Sequence, residues 1–318
     1  MTAARIPEIA VTVCTYNRAV SLERALQSLS RLEIPAGVTW ELLVVDNNST
    51  DSTPQVCERM MSSLPLRLLF EPRQGKSFAL NRAVHETQAG LVLFTDDDVS
   101  VDPQWLAAFW DIARRHPDTL YFGGRIFPRW ECPPPAWLER YAPTLLSGPT
   151  VTFDLGDREQ PYAKAFLGAN FAVRRSVFDT LSFREDLGPN PGDFVRGEET
   201  DLQNRLRARG HTGLYVPAAI VHHHNSAERM TERYIHDWFF GLGIGRARVG
   251  NFKRRAMVAG VPAELYWRLA NYGAKYWLAR PLGLAAIWVA AGMKLAQTRG
   301  MISELRRQRS GKRSATGH

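Results

Sequence analysis

The sequence predicts an α/β protein built on a mostly parallel, doubly wound sheet, followed by a helical C-terminal extension. Three observations carry this reading. Short apolar runs alternate with helix-spaced segments through the first hundred residues. A length of 318 residues, 45% hydrophobic and 23% charged, suits one large α/β domain with an appendage and excludes disordered, collagen-like and coiled-coil classes. Beyond His224 the chain turns aromatic and basic, which marks a change of region, with a catalytic domain expected over 1–245 and the extension over 246–318.

Taken in order, Ile9–Cys14 is an apolar strand, and Arg18–Glu33 is a helix with Leu22, Ala25, Leu26 and Leu29 at helical spacing. Leu42–Val45 is a buried strand, and Thr53-Pro54 opens a helix through Met61, with proline where its missing N–H costs nothing. Leu66–Phe70 is a third strand, Ser77–Glu86 a helix and Leu91–Phe94 a fourth strand. Asp102-Pro103 starts another helix through Arg115. Strands alternating with helices of this length imply right-handed crossovers and parallel pairing. From Tyr121 to Arg196 prolines and glycines break the pattern into loops, after which Glu198–Arg209 is helical and Leu214–Val221 a strand. Pro281–Met293 is an uncharged run of thirteen residues, short of the roughly 20 needed to cross a bilayer, so it reads as a core or interfacial helix.

The net charge of +8 is local. Residues 269–318 hold nine bases against the single acid Glu304, leaving 31 bases and 31 acids in the rest. A basic tail of this kind suits an anionic membrane surface or nucleic acid. Cys14, Cys57 and Cys132 form an odd set without C-x-x-C spacing, so neither a disulfide framework nor a cysteine zinc site is expected. The segment from Met1 to Glu8 carries no apolar run of signal-peptide length, and a cytoplasmic location follows as the expectation.

Three of the early strands end in polar clusters: Thr15-Tyr16-Asn17-Arg18, Asp46-Asn47-Asn48-Ser49-Thr50-Asp51 and Thr95-Asp96-Asp97-Asp98. In an open parallel sheet, ligands bind beyond the carboxyl ends of the strands, so these clusters should converge in space. Three carboxylates at one strand end repel unless a cation neutralises them, and hard oxygen ligands suit Mg²⁺ or Mn²⁺ shared with phosphates. Gln74-Gly75-Lys76-Ser77 resembles the end of a P-loop, but Phe70 stands where the first glycine is required; Lys76 or Arg82 remain candidates for a phosphate contact. Gly241-Leu-Gly243-Ile-Gly245 departs from the dinucleotide fingerprint and reads as close helix packing. Gly197-Glu198-Glu199-Thr200-Asp201 presents carboxylates at a helix start, good for capping and for a general base. Of His222, His223 and His224, consecutive on a strand, only one or two can face a common ligand, since neighbours point to opposite faces.

The ordered set of motifs, with Gly168-Ala169-Asn170-Phe171 between the acidic clusters, resembles the family 2 glycosyltransferases over about residues 8–245. That resemblance implies inverting enzymes of the GT-A fold that use a nucleotide-sugar donor and a divalent metal, Mn²⁺ or Mg²⁺. It implies Asp46 on the nucleotide base, Thr15, Asn17 and Arg18 near base and ribose, and Asp96 and Asp98 as the outer pair of a D-x-D motif with Asp96 closer to the ribose; Asp97, Lys76 and Arg82 are expected donor contacts beside them. It implies Asp98 as metal ligand with His223 completing the metal or diphosphate site. Glu199 falls where the family usually has an aspartate as catalytic base; glutamate is one methylene longer, and Asp201 is the competing assignment. Trp130, Trp137 and Asn170 are the expected acceptor contacts, with Trp130 or Trp137 able to stack on sugar.

The acceptor class expected is a saccharide or lipid-linked molecule of envelope or extracellular polysaccharide synthesis. Tyr266, Trp267, Tyr272, Tyr276, Trp277 and Trp288, with the apolar run and the basic tail, fit a helix at an anionic membrane surface, so a peripheral position on the inner face of the cell membrane is expected. A sugar-nucleotide nucleotidyltransferase shares much of this pattern but would carry a glycine-rich basic loop after the first strand, where Thr15–Arg18 stands. A non-catalytic nucleic-acid-binding module fits poorly with a neutral core, and no nucleic-acid partner is expected.

Overall fold

A computed structural model of the chain describes residues 6–192, 194–250 and 256–315, with side chains through 310. Residues 1–5 of the N-terminal segment and the side chains of Lys312 and Arg313 in the basic tail lie outside the described residues. Two compact units form: the first from the chain up to Pro133 with Thr150–Glu185 and Glu198–Ser226, the second from Pro134–Pro149, Asp186–Gly197 and the chain from Ala227 on.

The first unit is a nine-stranded sheet flanked by helices. In chain order its elements are β1 (Ile9–Thr15), α1 (Ala19–Leu29), β2 (Trp40–Asp46), α2 (Thr53–Met60), β3 (Leu66–Phe70), α3 (Lys76–Glu86), β4 (Leu91–Asp96), β5 (Val99–Val101), α4 (Trp105–Arg115), β6 (Tyr121–Trp130), β7 (Gln160–Tyr162), β8 (Phe171–Arg174), α5 (Glu198–Ala208) and β9 (Gly213–Asn225). The strand order is β3-β2-β1-β4-β8-β6-β9-β5, with β7 also on β9. Neighbours from β3 to β4 are parallel, as the alternation predicts. β8 then runs antiparallel to both β4 and β6, so the second half of the sheet is mixed. β1 and β2 are apolar without alternation because helices cover both faces: Leu22, Leu26 and Leu29 of α1 and Trp105, Phe109 and Ile112 of α4 join Ile9, Val11, Val13, Leu42 and Val44 in one buried cluster, while Ala79 and Ala83 of α3 pack with Leu43 and Val45 in another. Each such side chain contributes on the order of 1.5–3 kcal/mol by leaving water.

The segment expected as loops contains the ten-residue strand β6. Its Gly123 and Gly124 serve close approach. A Cβ on Gly123 would overlap the Phe166 ring, and one on Gly124 the Ala219 carbonyl. The β6–β9 register shifts between Gly124 and Arg125, from the partner Val216 to the partner Ile220, so Pro217 sits in a bulge that needs no ladder N–H. β9 runs on through all three histidines to Asn225, longer than the apolar run alone suggests.

The second unit contains α6 (Glu232–Val249), α7 (Ala263–Ala279) and α8 (Ala285–Ala315). The expected boundary at 245/246 falls inside α6. Gly241, Gly243 and Gly245 on α6 are the close packing expected of them: a Cβ on each would strike the backbone carbonyl of Phe194, Gln297 and Arg196 respectively. Along the apolar run, Val289, Ala291 and Met293 are buried while Leu282, Leu284 and Ile287 are exposed. Arg306 donates to the Tyr266 hydroxyl at 3.3 Å and Arg307 pairs with Glu304 at 2.7 Å, so this part of the basic tail is helical and engaged.

Candidate active site

Parallel register places the three polar strand ends together. Thr15 is the partner of Asp46 across β1 and β2, and Cys14 the partner of Asp96 across β1 and β4. Residues distant in sequence therefore meet at one edge of the sheet, where a twisted parallel sheet opens a crevice.

The loops after β1 and β2 are tied to each other. The buried Asp46 accepts from the Ser49 N–H at 2.9 Å, closing a turn. Asn17, at φ 52°, adopts the left-handed conformation that Asn tolerates better than most residues. Its side-chain oxygen accepts from the Thr50 N–H at 2.7 Å, and its own N–H donates to Ser49 Oγ at 2.9 Å. Asn47 then clamps the loop into α3: its amide donates to the Glu71 and Arg73 carbonyls at 3.0 and 2.7 Å and accepts from Gly75 N at 2.7 Å.

The acidic cluster divides in two. Asp97 and Asp98 are buried, and Arg18 donates from Nη1 to Asp97 Oδ1 at 3.2 Å and to Asp98 Oδ2 at 2.8 Å. Thr15 Oγ1 also donates to Asp97 at 2.9 Å. Burial, opposed by the Arg18 charge and joined by Asp98, raises the Asp97 carboxyl to about 6. The Asp97 charge, against burial, holds Arg18 firmly protonated. His223, 1% exposed, brings Nε2 to 3.1 Å from Asp98 Oδ1. Strand alternation turns its neighbours away: His222 stacks on Phe127 and His224 shares a 2.7 Å hydrogen bond with Ser100.

The Asp98 carboxylate and the His223 imidazole, 3.1 Å apart, are ligand types that suit a divalent cation, and the single Arg18 guanidinium offsets only one of the two buried negative charges beside it. Among the described residues no three His, Cys, Asp or Glu side chains gather tightly enough to hold one alone. Asp98 and His223 therefore fit a metal that takes its remaining ligands from phosphate and water.

The second half of the cluster centres on Lys76, the first residue of α3. Its Nζ donates to Asp96 Oδ1 at 2.8 Å, pairs with Glu199 Oε1 at 2.8 Å and lies 3.8 Å from Glu198 Oε1. Glu198 and Glu199 are close enough that only one is readily ionised. Burial, then the Glu199 charge, pushes Glu198 up. Burial also acts to raise Glu199, but the Lys76 charge and the hydrogen bonds from Glu198 and Lys76 outweigh it and hold Glu199 low. Gly168 lies directly against this carboxylate, so a Cβ there would overlap Glu199 Oε1.

The remaining candidates lie elsewhere or serve the scaffold. Asp201 pairs with Arg205 along its own helix at 2.8 Å, and Arg82 pairs with Glu86 at 2.8 Å. Asn170 is fully buried, and its amide is committed to the core in place of the expected acceptor contact. It accepts from Trp105 Nε1 at 2.7 Å and donates to the Arg125 and Ala219 carbonyls at 2.9 and 2.8 Å. Trp130 ends β6 opposite Asn225, two residues beyond the Pro128–His223 pairing. Trp137 belongs to the second unit, where it packs on Trp288 with ring centroids 5.6 Å apart. Sequence reading quoted Asn47, Gly168 and Glu198 within their motifs and gave none of them an individual role in the site.

Comparison with known proteins agrees with this geometry. The family model described as Glycosyl transferase family 2 matches residues 10–182. The succinoglycan biosynthesis protein ExoM of Rhizobium meliloti is 24% identical over 281 residues, 84% of this chain and 81% of that protein. The N-acetylglucosaminyl-diphospho-decaprenol L-rhamnosyltransferase of Mycobacterium tuberculosis is 30% identical over 256 residues, 70% of this chain and 76% of that protein. Among solved structures, the mannosyltransferase PcManGT of Pyrobaculum calidifontis, in complex with GDP-Man and Mn²⁺, superposes with a TM-score of 0.60 at 20% identity, covering 96% of this chain and 89% of that one. S. aureus TarS 1-349 in complex with UDP-GlcNAc gives 0.51 at 15% identity, covering 95% and 92%. These two likenesses establish the GT-A type of fold. With more than half its length matched by the family model and two thirds shared with the rhamnosyltransferase, the chain belongs to glycosyl transferase family 2 and is a sugar-transferring enzyme.

Proposed function

We propose that the protein is an inverting, metal-dependent transferase that moves a sugar from a nucleoside diphosphate donor, a UDP-sugar in the first instance, to an acceptor hydroxyl. The observation that carries this reading is the meeting of a donor-side carboxylate, Asp96, and a low-pKa carboxylate, Glu199, on the single ammonium of Lys76.

Thr15, Asn17 and Asp46 hold the nucleoside, with Asp96 and Asp97 toward the ribose and diphosphate. Asp98 and His223 hold Mn²⁺ or Mg²⁺, which supplies Lewis-acid stabilisation of the charge left on the diphosphate. Lys76 exchanges its carboxylate partners for phosphate oxygens when the donor enters. Glu199 accepts the proton of the acceptor hydroxyl as that oxygen bonds to the anomeric carbon from the face opposite the departing diphosphate. Glu198, kept neutral, leaves the negative charge on its neighbour. No covalent sugar intermediate is required, and Asp201, paired with Arg205, is the weaker candidate for the base.

The relatives named for succinoglycan biosynthesis and for a decaprenol-linked substrate support a saccharide or lipid-linked acceptor. Among the described residues no helix is long and apolar enough to cross a membrane. The test is the anomeric configuration of the product by proton NMR. Inversion relative to the donor, with turnover lost in Glu199→Gln and donor binding kept, is expected; retention of configuration overturns the reading.

A further inference from the structure

The second unit exposes an apolar surface that its own core does not use. Trp267, Trp277, Leu278, Leu282, Leu284 and Ile287 make up six of the fifteen large hydrophobic residues exposed among the described residues, all within one hairpin formed by α7, its turn and the start of α8. Scattered exposed apolar residues are ordinary, whereas a concentration of this kind marks an interaction surface.

The surface is built on a rigid support. The turn closes through Leu284 N to Ala279 O at 3.0 Å and Gly283 N to Arg280 O at 3.1 Å, with Gly283 at φ 65°, a left-handed conformation suited to glycine. On the inner side, Tyr276 and Ala279 of α7 are buried, and Tyr276 packs against Trp288 and His236. Arg280 lies over the Tyr276 and Trp288 rings and pairs with Glu232 at 3.0 Å. The outward residues are therefore held out by packing behind them. Along α7, Trp267, Ala274 and Leu278 recur at intervals of seven and four on one exposed face, bordered one heptad apart by Arg268 and Lys275.

Charge selects the occupant. Between Glu264 and Glu304 the chain has no carboxylate and carries Arg268, Lys275, Arg280, Lys294 and Arg299. Interfacial tryptophans, a leucine-rich turn and flanking bases without acids match the headgroup region of an anionic bilayer. We propose that the α7–α8 turn and the outer face of α7 seat this protein on an anionic phospholipid surface, with the turn inserted to the depth of the upper acyl chains. The seat differs from a free basic tail, because Arg306 and Arg307 near the end of α8 are engaged within the chain. It gives an enzyme proposed to use lipid-linked acceptors a place on the membrane, but its test reads membrane partition alone and is independent of sugar transfer.

The test is flotation of the full chain with phosphatidylcholine vesicles, with and without phosphatidylglycerol, beside Leu282→Glu/Leu284→Glu and a variant ending at Leu305. The wild type is expected to float with anionic vesicles, and the tip variant to lose about a hundredfold in partition coefficient while keeping its circular dichroism and nucleotide binding. The truncation should retain most binding. A dye on Leu282→Cys, in a Cys132→Ser background, should shift to the blue with vesicles. Failure of the wild type to float, unchanged flotation of the tip variant, or loss of binding by truncation alone overturns the proposal. So does a wild-type dimer, seen by light scattering, that the tip variant converts to monomer without any vesicle binding.

Discussion

Lys76 Nζ lies 2.8 Å from Glu199 Oε1 and joins the first residue of α3 to the second residue of α5. The same ammonium holds Asp96 at 2.8 Å, so one side chain spans the donor edge of the sheet and the proposed base. Its charge keeps Glu199 ionised in a buried place where burial alone would protonate it.

Lys76→Met removes that charge, and the Glu199 carboxyl should then rise. The acid limb of kcat/KM, which reports the free enzyme, should move toward neutral pH by about one unit, and donor affinity should fall roughly tenfold. A pH–rate profile of wild type and variant checks both; an unmoved acid limb separates Lys76 from the base.

Glu198 titrates upward to about 8, so between the ordinary carboxylate range and that value the folded state binds more protons than the unfolded one. Stability attached to this group is present at low pH and declines as pH rises toward 8. Glu198→Gln keeps the shape without the charge and should raise Tm at pH 8, by on the order of 1–2 kcal/mol of stability, with little change at pH 4. Thermal melts across pH measure the difference.

Gly168→Ala places a methyl where the Glu199 oxygen now lies. The carboxylate is the flexible end of its side chain, so stability should change by less than about 1 kcal/mol, while kcat falls at least tenfold through misplacement of the base. Steady-state kinetics with a parallel melt separate the two effects.

Asn170→Ala orphans the Trp105 indole N–H and loses donors to two buried carbonyls. A loss of about 2–4 kcal/mol is expected by denaturant titration, as for a core polar group. A variant of wild-type stability with a raised acceptor KM would restore the acceptor role.

The first four strands and their helices were legible because buried parallel strands are short apolar runs and their crossover helices show the 3.6 period. The convergence of Thr15, Asp46 and Asp96 followed from the same reasoning, since parallel strands share an end. β6 was hidden because the prolines and glycines between Tyr121 and Arg196 break the periodic pattern, and only the Phe166 ring and the Ala219 carbonyl, distant in sequence, show why glycine is required at 123 and 124. The apolar run of β9 ends at Val221, yet pairing of His222 and His223 with Ser100 and Val99 keeps the histidines in the strand. The partners of Lys76 and the burial of Asn170 arise from contacts between elements, which no local pattern encodes. Glu199 and Asp201 were inseparable by spacing; their different cations, Lys76 and Arg205, distinguish them.

The measurement that bears most directly on the central claim is calorimetric titration of the protein with UDP, GDP and dTDP, each with Mn²⁺ and again with EDTA, repeated for Asp98→Asn. The account predicts that one nucleotide binds with Mn²⁺, and that EDTA and Asp98→Asn each weaken binding at least tenfold. Binding of equal strength in EDTA and in the Asp98 variant would contradict it.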